Sequence, residues 1–365
     1  MSLEKYINTE RLVNTFIELV KIDSESGSEQ KIREYLLKKL ERFGITASVD
    51  HKGNITARYG ENNSGNRVMF SAHMDTVKPG RGITPIIADG YIRSDGTTIL
   101  GADDKSGIAV IIEMLEIITE NKLKTPSLLL VFTVEEEIGV QGVRYLKGLK
   151  ADFGFVLDTG GHVGTVVYQA PTHYRYTAKV IGKSAHAGIE PQKGVNAIMA
   201  ASLAISKLQL GKIDEDTVAN VGVISGGQAT NIIPDTVEFR GEVRSLDDKK
   251  VVALLKKTTD TIKEECKRYK AKVELDIKLE YSGFMISKSH SIMALVKNAT
   301  INSNLSLSLK KSCGGSDANY FNKMKIPTLV LSTGMESVHT VNERIKISEM
   351  VKAVELILYI SDLCR

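Results

Sequence analysis

Cysteine is scarce in this chain: only Cys266, Cys313 and Cys364 occur in 365 residues, an odd number with no Cys-x-x-Cys pair. That pattern excludes a disulfide framework and a thiolate metal site, and it fits reduced thiols in a reducing compartment. No stretch approaches the roughly eighteen uncharged apolar residues that a membrane helix needs. The opening Met1-Ser2-Leu3-Glu4-Lys5 has no apolar targeting core, so a cytoplasmic protein away from membranes is expected. Charge of either sign is balanced, with 48 basic and 44 acidic residues giving a net +4. No Lys/Arg run is interleaved with aromatics, which argues against a nucleic-acid partner. Internal repeats and low-complexity tracts are absent.

Several catalytic signatures are missing as well. There is no His-Glu-x-x-His, which disfavours a single-zinc metalloprotease, and no Gly-x-Ser-x-Gly elbow, which disfavours a serine hydrolase. Gly182-Lys183-Ser184 has the ending of a P-loop, but Thr177 stands where its first glycine is required.

What is present is ordinary globular material, 42% hydrophobic and 25% charged, in a chain long enough for two domains. Helical patterns span 8–21 and 28–42; in the second Ile32, Leu36, Leu37 and Leu40 recur at helical spacing and Gly44 stops it. Apolar strand patterns at Arg67–Ser71, Ser127–Thr133 and Phe153–Leu157, with a helix over 108–118 between them, predict a doubly wound, mostly parallel α/β sheet. From about Thr172 the order becomes strand 174–180, helix 194–209, strands 218–224 and 236–245, helix 247–269 and strand 272–280. This is the β-α-β-β-α-β split unit of ferredoxin-like α+β domains, which closes on itself and can be inserted into a host. The expected division is a first catalytic part over 1–171, an inserted domain over 172–284 and a second catalytic part over 285–365. In that last part a helix begins near 290, a strand lies at 328–331 and a helix runs over 347–362.

Chemistry-bearing residues gather where apolar strands end. His73-Met74-Asp75 follows the first such strand, Glu135-Glu136-Glu137 the second and Asp158 the third; Gly101-Ala102-Asp103-Asp104-Lys105 precedes a helix, and His339 lies alone near the end. Strand-to-loop junctions are the usual position for sites in α/β folds. Two cations about 3.5–4 Å apart need a bridging carboxylate and ligands that offset their charge. Three carboxylates and a hydroxide would balance two Zn²⁺. Nitrogen and oxygen donors without thiolate suit Zn²⁺, with Co²⁺ or Mn²⁺ as alternatives, and the inventory points to metal-assisted hydrolysis.

Taken together, Ser71-Ala72-His73-Met74-Asp75-Thr76-Val77, Leu100–Gly107, Thr133–Gly139, Asp158, Ser184-Ala185-His186-Ala187-Gly188, Gly314-Gly315-Ser316-Asp317 and Ser337–Glu343 resemble the motifs of the M20-type di-zinc metallopeptidases. Within that superfamily the resemblance is greatest to the peptidase T-like tripeptide aminopeptidases, and it covers nearly the whole chain. It implies that one metal takes His73 and Asp158, the other takes Glu137 and His339, and Asp103 bridges them. It further implies that Asp75 accepts the second ring N–H of His73, that the Asp103–Asp104 peptide is cis, and that Glu136 is the general base. The triple glutamate leaves a one-residue slip open within Glu135–Glu137. By the same resemblance His186 stabilises the oxyanion, Arg244 clamps a substrate carboxylate, and Asn231, Gly314 and Gly315 contact substrate. The inserted domain then acts as a lid that forms a homodimer.

The implied activity is aminopeptidase cleavage of short peptides. The interval from Asp75 to Asp103 is shorter than in tripeptidases, so cleavage of N-acyl amino acids or dipeptides on the same scaffold stands as the alternative. A non-catalytic peptide-binding relative is a third reading, which the intact ligand set with Glu136 argues against. Plain structural roles are also available: Asp103 suits the N-cap of a helix from Lys105, and Asp317 that of a helix over 318–323. His51, His162, His173 and His290 lie in no matching motif.

Overall fold

The computed structural model describes residues 3–60 and 65–365. Two compact units divide the chain: the first comprises Met1–Tyr168, Met285–Lys311 and Ser316–Arg365, the second Gln169–Phe284 with Ser312–Gly315. The sequence reading sets the inserted segment at 172–284. The compact unit begins three residues earlier and also takes in a distant turn, where the Ser312 amide donates to the Gln169 carbonyl at 2.9 Å.

The sheet of the first unit runs Ala47–Val49, Ile55–Tyr59, Leu128–Thr133, Val68–His73, Phe153–Thr159, Thr328–Ser332, Thr165–Ala170. The central four strands are parallel. Every residue of Leu128–Thr133, Val68–His73 and Thr328–Ser332 is buried, as expected where helices cover both faces and the strands read as continuous apolar runs. Each Leu, Val or Phe so enclosed contributes about 1.5–3 kcal/mol.

Asn8 caps the helix Thr9–Val20 by accepting from the Arg11 amide, and Leu12, Phe16, Leu19 and Val20 form its buried stripe. The helix Ala102–Glu120 is buried almost all round. It packs on Val68–His73 and Phe153–Thr159 from one side and on the helices Thr9–Val20 and Ile347–Leu363 from the other. The sequence reading starts this helix at 108. The difference arises because Asp103 and Asp104 have non-helical backbone angles and belong to a turn that the apolar periodicity does not register; their peptide bond is cis.

A small antiparallel sheet, Met335–Glu336, Arg344–Lys346, Tyr91–Arg93, Ile86–Ala88, is absent from the sequence reading. Strands of two or three residues are too short to display a period of two. It fixes both ends of the loop that carries His339.

In the second unit all neighbours are antiparallel, in the order Gly211–Lys212, Thr217–Gly226, Thr236–Ser245, Thr172–Ile181, Lys272–Tyr281. The helices Ala197–Ser206 and Asp248–Arg268 pack on this sheet. Their contact face and the inward strand residues Tyr176, Val180, Phe239 and Val243 share one core with Leu254 and Ile262.

Candidate metal centre

Three neighbouring parallel strands bring their carboxyl ends together in the first unit. Val68–His73 delivers His73, Leu128–Thr133 runs into the glutamates, and Phe153–Thr159 carries Asp158. Asp103 arrives from the start of the helix that crosses these strands, and His339 from the loop of the small sheet. His339 has a backbone φ of +62° and Ser337 of +55°, values that non-glycine residues hold only when their surroundings enforce them.

The distances converge on Asp103. Its Oδ1 lies 3.0 Å from His73 Nε2 and its Oδ2 lies 3.2 Å from His339 Nε2. His73 Nε2 is 4.0 Å from Asp158 Oδ1, and His339 Nε2 is 2.9 Å from Glu137 Oε1. Tetrahedral coordination with bonds of 2.0–2.1 Å sets neighbouring donors about 3.3 Å apart. Donors so spaced, and restricted to imidazole nitrogen and carboxylate oxygen, fit a divalent cation of the zinc type. The two oxygens of Asp103 face different histidines, which is the geometry of a bridging carboxylate.

Ligand atoms close within 4.8 Å of one another in two overlapping groups, His73–Asp103–Glu137 and His73–Asp104–Asp158. Asp104 is the weaker donor of the second group, because its oxygens are already engaged by main-chain amides. Oδ2 accepts from His73 N at 3.2 Å and Oδ1 from Gly107 N at 3.1 Å. It braces the start of the helix, and the capping role that sequence offers to Asp103 falls to it.

The expected contact from the His73 ring to the Asp75 carboxylate is altered. His73 Nδ1 lies 2.9 Å from the Asp75 main-chain oxygen and 3.5 Å from its carboxylate. A carbonyl only accepts, so Nδ1 carries a proton, and Nε2 is the ring nitrogen that faces Asp103 and Asp158, where a bound cation would take its lone pair. The Asp75 carboxylate accepts instead from Ser26 Oγ at 2.7 Å, Glu136 N at 2.9 Å and Glu137 N at 3.1 Å. Glu29 accepts from the Glu135 amide at 3.2 Å. Two acidic side chains thus hold three consecutive main-chain amides and fix where each glutamate points. Glu135, at φ +53°, turns to Lys52 at 2.7 Å; Glu136 is buried; Glu137 meets His339.

Crowding dominates the electrostatics. Burial pushes the carboxyls of Glu136, Asp158 and Glu137 up from their ordinary values, and neighbouring carboxylates add to the shift. Hydrogen bonds to the Asp103 and Glu137 carboxylates raise the His339 imidazole to about 10. Although burial opposes it, Asp103 and Asp75 raise that of His73 also. Asp103 is lowered, with two imidazoles outweighing its burial. Such a cluster stabilises positive charge at its centre, which is what a divalent cation supplies.

Asp317 does not cap its helix. Ser316 does, in a capping box with Asn319. Asp317 is buried, accepts from the Thr133 hydroxyl and is held up at about 6 by burial. His186, Asn231, Arg244, Gly314 and Gly315 all belong to the second unit. There His186 is exposed, its Nδ1 accepting from Gly188 N at 3.2 Å, and the Asn231 carbonyl accepts from Ala187 N at 2.9 Å. Arg244 directs Nε and Nη2 at the Glu242 carboxylate, at 3.1 and 3.0 Å, and Nη1 at Tyr281 Oη at 3.3 Å. A side chain on Gly315 would collide with the Tyr281 ring. Ser26, Glu29, Asp104 and Glu343 escape the sequence reading as supporting residues: Ser26 donates its hydroxyl to Asp75, and Glu29, Asp104 and Glu343 each accept a main-chain amide from a remote segment, which leaves no local pattern.

The sequence model of Peptidase family M20/M25/M40 matches residues 69–362. The crystal structure of a tripeptidase from Staphylococcus aureus aligns with a TM-score of 0.93 at 38% identity, over 98% of this chain and 99% of that one. Aminopeptidase PepT from Bacillus cereus aligns with a TM-score of 0.89 at 39% identity, over the same shares of the two chains, 98% and 99%. Peptidase T of Clostridium perfringens is 27% identical, covering 94% of this chain and 97% of its own length.

Proposed function

Because this chain belongs to peptidase family M20/M25/M40, in its peptidase T-like branch, we propose that it removes the N-terminal residue from short peptides with two bound divalent cations. Zinc is the first choice, with cobalt or manganese as alternatives. The observation that carries this reading is Asp103, whose two oxygens face His73 and His339 separately while Asp158 and Glu137 stand beside those histidines. His73 and Asp158 would hold one cation and Glu137 and His339 the other, with Asp103 shared.

Bound there, the cations would polarise the scissile carbonyl and acidify water. Glu136 takes the proton from the attacking water and passes it to the leaving amine. Its burial and the nearby carboxylates raise its proton affinity, which suits a group that must both accept and return a proton. Asp75 serves by holding the Glu136 and Glu137 amides. The roles implied by resemblance for the second unit belong to the same proposal: His186 at the oxyanion, Arg244 toward a substrate carboxylate, and Asn231, Gly314 and Gly315 toward substrate.

A homodimer through the second unit and a cytoplasmic location complete the proposal. The strand Thr217–Gly226 supports the first: it is covered by Gly211–Lys212 only at Val218 and Ala219, and residues 217–234 contain no charged side chain. An uncharged exposed edge pairs readily with a second copy of itself.

The deciding experiment is hydrolysis of free-amine tripeptides, dipeptides and N-acetyl amino acids by zinc- or cobalt-loaded protein, with Glu136→Ala in parallel. Tripeptide cleavage from the amino end that is lost in the variant is expected. Cleavage confined to blocked amino acids would move the enzyme to the amidohydrolase reading. Absence of turnover with two cations bound would overturn the aminopeptidase.

A further inference from the structure

Glu343 lies four residues beyond His339, at the far end of the same loop, and its side chain is buried. Oε2 accepts from the amides of Leu100 and Gly101, both at 2.8 Å, and Oε1 accepts from the Asp103 amide at 3.0 Å. Three main-chain donors of one turn therefore converge on one carboxylate contributed from 240 residues away. The turn needs an external acceptor, because Gly101, at φ +74°, has no side chain to accept with, and the Asp104 carboxylate is engaged by the His73 and Gly107 amides. An anion here also meets the positive end of the helix dipole.

The two loops joined in this way carry the bridging candidate Asp103 and the ligand candidate His339. The Glu343 amide donates to the Thr340 carbonyl at 3.1 Å, closing a turn directly behind His339. Asp103 and His339 thus touch through their side chains at 3.2 Å, and their segments are tied a second time through Glu343. The small sheet holds the two ends of the His339 loop, and Glu343, bound to three amides, holds that loop against the facing turn.

Resting on the two-cation reading, we infer that Glu343 is a positioning residue for the metal pair. It sets the separation of Asp103 and His339, and so the affinity of the cation that His339 and Glu137 would share. It neither ligates nor touches substrate. Glu343→Gln preserves size but turns an N–H₂ group toward amides that also donate, so at least one main-chain donor loses its partner. Glu343→Asp keeps the charge and is too short to reach all three amides.

The test is calorimetric and spectroscopic titration of the metal-free protein with Co²⁺ alone, for wild type, both variants and Glu113→Gln. Glu113 is an equally buried carboxylate on the same helix, paired with Arg11 at 2.7 Å and remote from the ligands. The wild type should take up two ions. In Glu343→Gln the second ion should bind about 10–100-fold more weakly, with an altered cobalt absorption band. Its kcat should fall at nearly unchanged KM. Glu343→Asp should lie between the two, and Glu113→Gln should lose thermal stability with an unchanged titration. If either folded Glu343 variant binds both ions as the wild type does, Glu343 is a structural carboxylate only. A wild type that takes up fewer than two ions overturns the two-cation reading itself, and the inference with it.

Discussion

Asp75 illustrates how a single residue serves the site without facing the reaction. Its carboxylate is wholly buried, and three donors, the Ser26 hydroxyl and the Glu136 and Glu137 amides, saturate it. With help from His73 these donors overcome burial and hold it below the usual carboxylate range. Asp75→Asn places an N–H₂ group against donors, and a buried donor left without a partner costs about 1–3 kcal/mol. The loop that orients Glu136 and Glu137 should shift with it. The expected outcome is a lowered melting temperature together with a kcat reduced about 10–100-fold. Ser26→Ala, which removes one donor only, should cost about 1 kcal/mol and leave most of the activity. A fully active Asp75→Asn enzyme would refute the bracing role.

At the scale of elements, the helix Ala102–Glu120 and the strand Phe153–Thr159 must approach closely for Asp103 and Asp158 to flank His73. Gly107 permits this approach. A Cβ there would lie 2.5 Å from Asp104 Oδ1 and 2.9 Å from both the Cβ and the carbonyl oxygen of Leu157. Gly107→Ala therefore forces the helix off the strand despite alanine's better helix propensity. Overpacking of this kind costs about 1–3 kcal/mol, and denaturant unfolding of the variant should show it. Because the displaced turn includes Asp104, cobalt binding should weaken as well. A stabilised Gly107→Ala would mean that the interface relaxes without strain. The loop after Leu128–Thr133 carries a related constraint: Glu135 and Val140 both adopt positive φ, +53° and +56°. The amides held by Glu29 and Asp75 supply the compensation such a loop needs.

For the molecule as a whole, the exposed sheet edge bears on assembly. On the free edge of the second unit's sheet, Val223 and Ile224 are 45% and 53% exposed, with Ile198, Met199 and Ile232 also exposed in the same unit. Edge strands of monomers are ordinarily protected by charge or proline, and Thr217–Gly226 has neither. The wild type should be dimeric by light scattering, and Ile224→Lys should shift it toward monomer without loss of fold, since the side chain is exposed in a single copy. A monomeric wild type would refute the dimer.

Much of this protein is legible along the chain because the relevant signals are local. The apolar runs ending at His73, Thr133 and Leu157 announce buried parallel strands, and the residues that follow them fall at the carboxyl edge where such sheets bear their sites. The β-α-β-β-α-β order of the second unit follows equally from periodicity. Its outer limits at Gln169 and Ser312–Gly315 do not, because they depend on a pairing between distant segments. The sequence by itself determined the strands, the helices and the kinds of side chain at their ends, since these depend on neighbours within a few residues. Tertiary structure alone decided that Glu135 turns to Lys52 while Glu137 turns to His339, that Ser316 rather than Asp317 caps its helix, and that Glu343 holds the turn before Asp103. Those outcomes rest on which buried amides lack partners in the folded chain, a condition that no stretch of sequence contains.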